Sequence, residues 1–295
     1  MTTFRPPLTK EDIRGVIPPL VSTFAADGTL DLALFRGELA FMEAAGVTLA
    51  VIGGSTGSGD ELSADELAAL IGEATRSGKI DIIAGIITTT TRDAILRGQK
   101  AKEAGARALM LGPPIYTTPS ADGLDGFIRD VYEATGLPII YYNHFFNPPS
   151  VMQRIADVPG VICLKEVALE PVAELFQTVG ERVAIAAGAD CVNIASFLFG
   201  AHASISGINT VIPKQYREIY AAHEAGDYRL GRELTEKIAP LAREMIKPEN
   251  FPARVKYAIN LQGREVGAPR KPSGDLAQQD QENIKAALRF AGLIA

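Results

Sequence analysis

Apolar and polar positions along this chain follow one repeating arrangement. A short run of β-branched and other apolar residues leads into a turn, then into an amphipathic stretch that ends at glycine. The apolar runs begin near Gly15, Leu49, Asp81, Arg107, Pro138, Val161, Val183 and Ala203. Between them the spacing of apolar residues predicts helices, among them Leu32 to Ala45, Ala64 to Arg76, Arg92 to Ala104 and Leu124 to Thr135. Asp31 and Ser63 stand at N-cap positions, and Ser63 with Glu66 makes a capping box. Gly46, Gly105 and Gly136 stand where left-handed C-caps belong, and Pro138 keeps the helix before it from continuing.

Strands that alternate with single helices imply right-handed crossovers and a parallel sheet. The runs are almost continuously apolar, as in Asp81-Ile82-Ile83-Ala84-Gly85-Ile86, which suits strands buried on both faces. Eight such units predict a closed (β/α)8 TIM barrel, and no Gly-x-Gly-x-x-Gly opens the first helix to favour an open doubly wound sheet. The eighth unit ends near Gly226, so the barrel is expected over 1–226. The stretch 227–295 reads as a C-terminal helical extension, with helices Tyr228 to Ile246, Phe251 to Gln262 and Gln279 to Leu293. So short an all-helical piece has little core of its own and is expected to pack on the barrel.

Composition narrows the partners. The 295 residues are 47% apolar and 22% charged, and their net charge of -6 is spread over segments of mixed sign. No basic stripe speaks for nucleic acid, and no apolar run reaches the ~18 residues of a membrane span. The opening Met1-Thr2-Thr3-Phe4-Arg5 lacks the apolar core of a signal peptide. Cys163 and Cys191 both sit in apolar segments and read as reduced, buried thiols of a cytoplasmic protein. The three histidines, His144, His202 and His223, lie in different units and form no close ligand pair, so no metal is expected.

Catalytic groups of such barrels sit at the C-terminal ends of the strands. The second strand ends in Gly53-Gly54-Ser55-Thr56-Gly57-Ser58-Gly59, whose hydroxyls and N–H groups suit a carboxylate or phosphate, although many such loops are only tight turns. The fourth presents Tyr116 after Pro113-Pro114, where a packing tyrosine is the plainer reading. The fifth ends in Tyr141-Tyr142-Asn143; alternation puts Ile140 and Tyr142 on one face and Tyr141 on the other. The sixth gives Val161-Ile162-Cys163-Leu164-Lys165-Glu166. A lysine that follows four core-type residues is unusual, and desolvation should bring its pKa down toward the neutral amine that carbonyl addition needs. A strand-end lysine that snorkels to solvent is the alternative. Together, a carboxylate-type loop, an inward tyrosine and this lysine describe a site for a 2-keto acid. Ala187-Gly188-Ala189-Asp190 and Ser204-Ile205-Ser206-Gly207 add small residues that leave room for a ligand or simply fit a crowded rim.

These motifs resemble the dihydrodipicolinate synthase and N-acetylneuraminate lyase family of pyruvate-dependent class I aldolases, from about Gly15 to the C-terminus. The stretch Gly15 to Phe24 with Asp27-Gly28 is similar to the family's first strand. Gly54-Ser55-Thr56-Gly57 resembles its carboxylate-binding loop, Tyr142-Asn143 its proton-relaying pair, and Ile162 to Glu166 the segment of its Schiff-base lysine. Gly188 and Ile205 match positions that line the pyruvate pocket, and Arg270-x-Pro272 a C-terminal signature. Tyr116 matches a loop tyrosine that enters a neighbouring subunit's site, which implies a homotetramer built as a dimer of dimers. Three departures stand out. Ser58 replaces the usual glutamate after the carboxylate loop, and Val167-Ala168-Leu169-Glu170 is less polar than the usual sequence there. His144-Phe145-Phe146-Asn147-Pro148 replaces the Pro-x-Arg-Thr whose arginine holds a second carboxylate in the synthases.

The resemblance therefore implies a lyase, aldolase or dehydratase, that acts without cofactor on pyruvate or a 2-keto-3-deoxy acid. Lys165 forms the imine, Tyr142 moves the proton with help from Ser55 and Tyr116, and Ser55 and Thr56 hold the carboxylate. Gly188, Ile205, His144 and Asn147 complete the substrate site. Dihydrodipicolinate synthesis is the alternative within the class, disfavoured by the missing arginine. A keto-acid-binding barrel without turnover and a pyridoxal phosphate anchor are alternatives outside it.

Overall fold

The structure, a computed structural model, describes residues 5–189 and 193–295. Strands β1 (Gly15–Val16), β2 (Pro19–Leu20), β3 (Leu49–Ile52), β4 (Asp81–Ile86), β5 (Ala108–Leu111), β6 (Ile139–Tyr142), β7 (Val161–Glu166), β8 (Ala184–Ala187) and β9 (Ala203–Ser204) follow in chain order. All pair in parallel; β1 joins β9 and β2 joins β3, so the sheet curls round on itself. Strands β1 and β2 are the two halves of one barrel strand. Pro18 and Pro19 split it, since neither has an N–H to give to a ladder. Ile17 N–H donates to Ser204 O on one side, and Pro18 O accepts from Val51 N–H on the other, each at 2.9 Å. The expected barrel forms, with this one strand broken.

The helices are α1 (Leu32–Ala44), α2 (Ala64–Ser77), α3 (Thr91–Glu103), α4 (Ala121–Thr135), α5 (Pro149–Ile155), α6 (Leu169–Val179), α7 (Asn193–Leu198), α8 (Ile208–Val211), α9 (Pro213–Glu224), α10 (Tyr228–Met245), α11 (Phe251–Asn260) and α12 (Gln278–Phe290). Asp31 accepts from Ala33 and Leu34 N–H, and Ser63 and Glu66 exchange the reciprocal bonds of a capping box. Helix α4 starts three residues before Leu124 because Ser120 caps it through Gly123 N–H.

Alternation along the strands divides the core. Ile17, Val51, Ile83, Met110, Ile140, Cys163, Ala186 and Ile205 fill the barrel interior. Ile52, Ala84, Leu111, Tyr141 and Leu164 face the helices. That two-sided burial is why the strands read as unbroken apolar runs. The C-terminal helices have no separate core: Ile238, Leu241, Met245, Val255 and Leu288 cluster with Val21, Ile208 and Val211 of the barrel. Cys163 is a free, buried thiol, and Cys191 and Asp190 lie outside the described residues. Among the described residues no helix is long and apolar enough to cross a membrane.

One buried ion pair ties the extension to α1. Arg264 holds both carboxylate oxygens of Glu38 and also donates to the Val211 and Thr210 carbonyls. Burial outweighs the guanidinium and leaves the Glu38 carboxyl above its ordinary range. Removing one partner strands a buried charge, so Arg264→Ala is expected to lower stability by about 3–5 kcal/mol in urea unfolding.

Candidate active site

Lys165 stands on β7 between Tyr142 of β6 and Ala186 of β8 in the strand register. Its side chain is only 7% exposed, and its Nζ lies 3.8 Å from the centre of the Tyr142 ring. Alternation settles the two tyrosines as expected: Tyr142 packs on the interior cluster, while Tyr141 is fully buried in the outer one. Burial raises the Tyr141 phenol well above its usual range. Ala186 sets only a methyl group beside the lysine in the register.

Gly188 follows β8 and meets Lys165 directly. A Cβ at this position would fall 2.9 Å from Lys165 Cε and 3.0 Å from Val167 Cγ1. Only glycine fits without moving the lysine. Ile205 lies in the interior just past β9 and donates its N–H to Ala187 O at 2.8 Å.

The Gly54–Gly57 loop makes a short 3-10 turn after β3. It is strapped to the first strand, since Ser22 Oγ donates to Gly57 O at 2.5 Å. A Cβ at Gly57 would sit 2.5 Å from Leu20 O, which explains the glycine. Thr56 is buried on this loop and Ser55 is exposed. Phe251, the first residue of α11, reaches the same rim. Its Cζ is 2.6 Å, and Thr56 Oγ1 3.6 Å, from where a Cβ on Gly207 would be.

The loop after β6 is closed by its own asparagines. Asn143 Nδ2 donates to Asn147 O at 2.9 Å and to Glu166 Oε2 at 2.7 Å, while Asn147 N–H donates to Asn143 Oδ1 at 2.7 Å. Glu166 Oε1 accepts from the N–H groups of Val167 and Ala168. Rigid support for two neighbouring loops thus comes from the residues that follow Tyr142 and Lys165. Residues 144–146 bulge from this clasp, with Phe146 68% exposed at positive φ. The His144 ring lies tilted against that of Tyr142, centres 5.4 Å apart, and burial and the charge of Lys165 lower its pKa.

Lys165, Tyr142, Gly188, Ile205 and His144 therefore gather at one mouth, with Thr56 on its rim. Asn147 does not join them, because its amide turns to Asn143 and the Tyr141 hydroxyl. Tyr116 projects into solvent at 97% exposure and positive φ. The sequence reading missed Glu166, Ser22, Phe251 and a second buried lysine, Lys256. Lys256 donates to Ala268 O at 2.7 Å under the Phe24 ring, and burial lowers its pKa to about 8. Among the described residues no His, Cys, Asp and Glu side chains gather as a metal set. A cavity of about 240 Å³ lies at the opposite end of the strands, lined by Ile80, Ile82, Arg107 and Leu137, and shares no residue with the lysine site.

A lysine buried at a barrel mouth against a tyrosine ring is the arrangement of a class I lyase, an enzyme that works through a lysine Schiff base. The model of the dihydrodipicolinate synthetase family matches residues 12–291, and the chain belongs to that family. It is 32% identical over 292 residues to the 4-hydroxy-tetrahydrodipicolinate synthase of Dechloromonas aromatica, covering 96% of this chain and 100% of that protein. It is 28% identical over 288 residues to the synthase of Archaeoglobus fulgidus, covering 95% and 99%. The chloride-inhibited dihydrodipicolinate synthase of Acinetobacter baumannii, solved in complex with pyruvate, superposes with a TM-score of 0.90 at 29% identity, covering 96% and 100%. These relatives favour the synthase alternative over cleavage or dehydration of sugar acids. The chain is a pyruvate-using, Schiff-base-type lyase.

Proposed function

We propose that the enzyme condenses pyruvate with an aldehyde, as a 4-hydroxy-tetrahydrodipicolinate synthase does. The observation that carries this reading is Lys165 beneath the Tyr142 ring. Lys165 Nζ adds to the keto carbon and loses water to give an imine. Tyr142 moves the proton that turns the imine into an enamine, helped by Ser55, while Ser55 and Thr56 hold the carboxylate. Gly188 and Ile205 shape the pocket around the methyl end. Gly188→Ala should push Lys165 aside and slow pyruvate imine formation by about 10- to 100-fold, measured by borohydride trapping, with an unchanged melting curve.

A specific observation favours a second reading of the acceptor. The bulge after Tyr142-Asn143 presents His144, Phe145 and Phe146 and no cation. An aldehyde with its own carboxylate needs a fixed cation, and a bidentate arginine is the usual solution. Loss of such a contact, worth ~1.5–3 kcal/mol, lowers efficiency by on the order of 10- to 100-fold. Aspartate semialdehyde is therefore expected to be a poorer partner than an uncharged aldehyde, judged by kcat/KM in a coupled assay. Efficient turnover of aspartate semialdehyde, with growth of a lysine-requiring strain, would instead establish the synthase reaction itself.

The same reading includes a homotetramer, a dimer of dimers, in which Tyr116 enters a neighbour's site. Its nearly complete exposure in the single chain supports this. The buried thiol of Cys163 fits a cytoplasmic enzyme. Light scattering that finds an active monomer would contradict the assembly.

A further inference from the structure

We propose that His144 is a second catalytic acid–base residue of this site, exchanging a proton with the oxygen on the carbon that bonds to C3 of pyruvate. The inference rests on the Schiff-base reading above and adds a step to it.

The chemistry needs protons at two places. One is C3 of the pyruvate imine, beside the lysine. The other is the acceptor oxygen, farther out by the length of the new bond. Tyr142 occupies the first position, with Lys165 Nζ 3.8 Å from its ring centre. His144 is two residues on, its ring tilted 54° to that of Tyr142 with centres 5.4 Å apart, and the Phe145 ring lies 5.6 Å from it. Its N–H donates to Tyr142 O at 2.8 Å, a tight turn that fixes His144 next to the tyrosine at the open end. The order along the mouth, lysine, tyrosine, histidine, is the order of imine carbon, C3 and acceptor carbon.

Nothing else on this bulge can move a proton. Phe145 and Phe146 have none to give, and the Asn147 amide is committed to Asn143 and Tyr141. The Asn143–Asn147 bonds close the loop below His144 and hold it in place. Burial and the Lys165 charge favour neutral imidazole at rest, which is the form a base needs.

In cleavage, imidazole takes the hydroxyl proton as the bond between C3 and the acceptor carbon breaks. Its electron pair remains on C3 as the enamine, and an aldehyde leaves. In condensation, C3 bonds to the aldehyde carbon, the carbonyl pair moves to oxygen, and imidazolium protonates that oxygen. The imidazolium arises because the proton that Tyr142 takes from C3 passes to the neighbouring His144, so the proton lost from C3 is the one given to oxygen and both side chains end as they began. Water released on imine formation returns when the product is hydrolysed from Lys165.

The test separates the two halves of the reaction. Exchange of the pyruvate methyl protons in D2O, followed by NMR, reads only imine and enamine formation. Condensation of pyruvate with glyceraldehyde and with aspartate semialdehyde reads the bond-forming step. In His144→Gln, exchange is expected to stay within about threefold while condensation falls by about 100-fold. Free imidazole is expected to restore part of the loss in His144→Ala, which a structural role would not allow. Condensation that falls less than threefold, or that falls only in step with exchange, would overturn the assignment. So would a wild-type protein that exchanges but condenses with neither aldehyde. A wild type that does not exchange at all would sink the Schiff-base reading first.

Discussion

Incubation with pyruvate and borohydride is expected to fix one pyruvate-derived group per chain, on Lys165, and Lys165→Ala is expected to take up none. Turnover of that variant should fall by about 10⁴- to 10⁶-fold, the range expected when an enzyme loses its nucleophile. The structure supplies a demanding internal control. Lys256 is also buried, and its pKa of about 8 makes it the more easily deprotonated of ordinary lysines. A low pKa alone would thus make it a rival for the label. Its surroundings argue otherwise, since it donates to Ala268 O, lies under Phe24 and has Arg270 and Glu61 as charged neighbours. A cavity of about 290 Å³ lined by Ala253, Gly267, Ala268 and Gly274 also adjoins it, so openness alone does not separate the two lysines. Peptide mapping decides the matter: label on Lys256, or label that survives Lys165→Ala, removes the central assignment.

Tyr142→Phe should lower turnover by about 10²- to 10⁴-fold, the usual worth of a positioned acid–base group, and leave borohydride trapping measurable. The phenyl ring keeps the contact with Lys165, so loss of the hydroxyl is isolated from loss of packing. Tyr141 makes the comparison sharp. It is the adjacent residue on the same strand, yet it points into the outer core and makes one long bond, 3.4 Å, with Asn147. Tyr141→Phe is expected to change turnover by less than about threefold. Equal effects of the two substitutions would mean that the proton relay does not depend on Tyr142.

How much of this could be read from the sequence follows from how local each signal is. Alternation within one strand put Ile140 and Tyr142 on one face and Tyr141 on the other, because side-chain direction in a strand is fixed by position alone. Helix ends at Ser63, Gly105 and Gly136 were legible for the same reason, each set by a few neighbouring residues. The break at Pro18-Pro19 was visible in the residues but not in its consequence, since the barrel closes around it by pairing with two different neighbours. Asn147 was expected among the substrate contacts, and its amide nitrogen donates to Asn143 Oδ1 and to the Tyr141 hydroxyl. Its direction depends on a clasp with Asn143 and Tyr141 that no periodicity encodes. Glu166 was equally silent, although a polar residue directly after each of Tyr142 and Lys165, on adjacent strands, was the available hint. Phe251 carried no signal at all, because it reaches the mouth from far along the chain.

That distant reach bears on how the enzyme is made. Protein chains emerge from the ribosome N-terminus first, and units fold as they are completed. Lys165, Tyr142 and the Gly54–Gly57 loop have all emerged before α11 is synthesised. Until Phe251 arrives, the rim beside Thr56 and Gly207 is open, and Val21, Ile208 and Val211 lack the helices that cover them. A chain that stops short of α11 therefore carries Lys165, Tyr142 and that loop with an unfinished wall and an exposed apolar face. Such a fragment is an aggregation hazard rather than a smaller enzyme, and the C-terminal helices are the step that turns a nascent barrel into a working one.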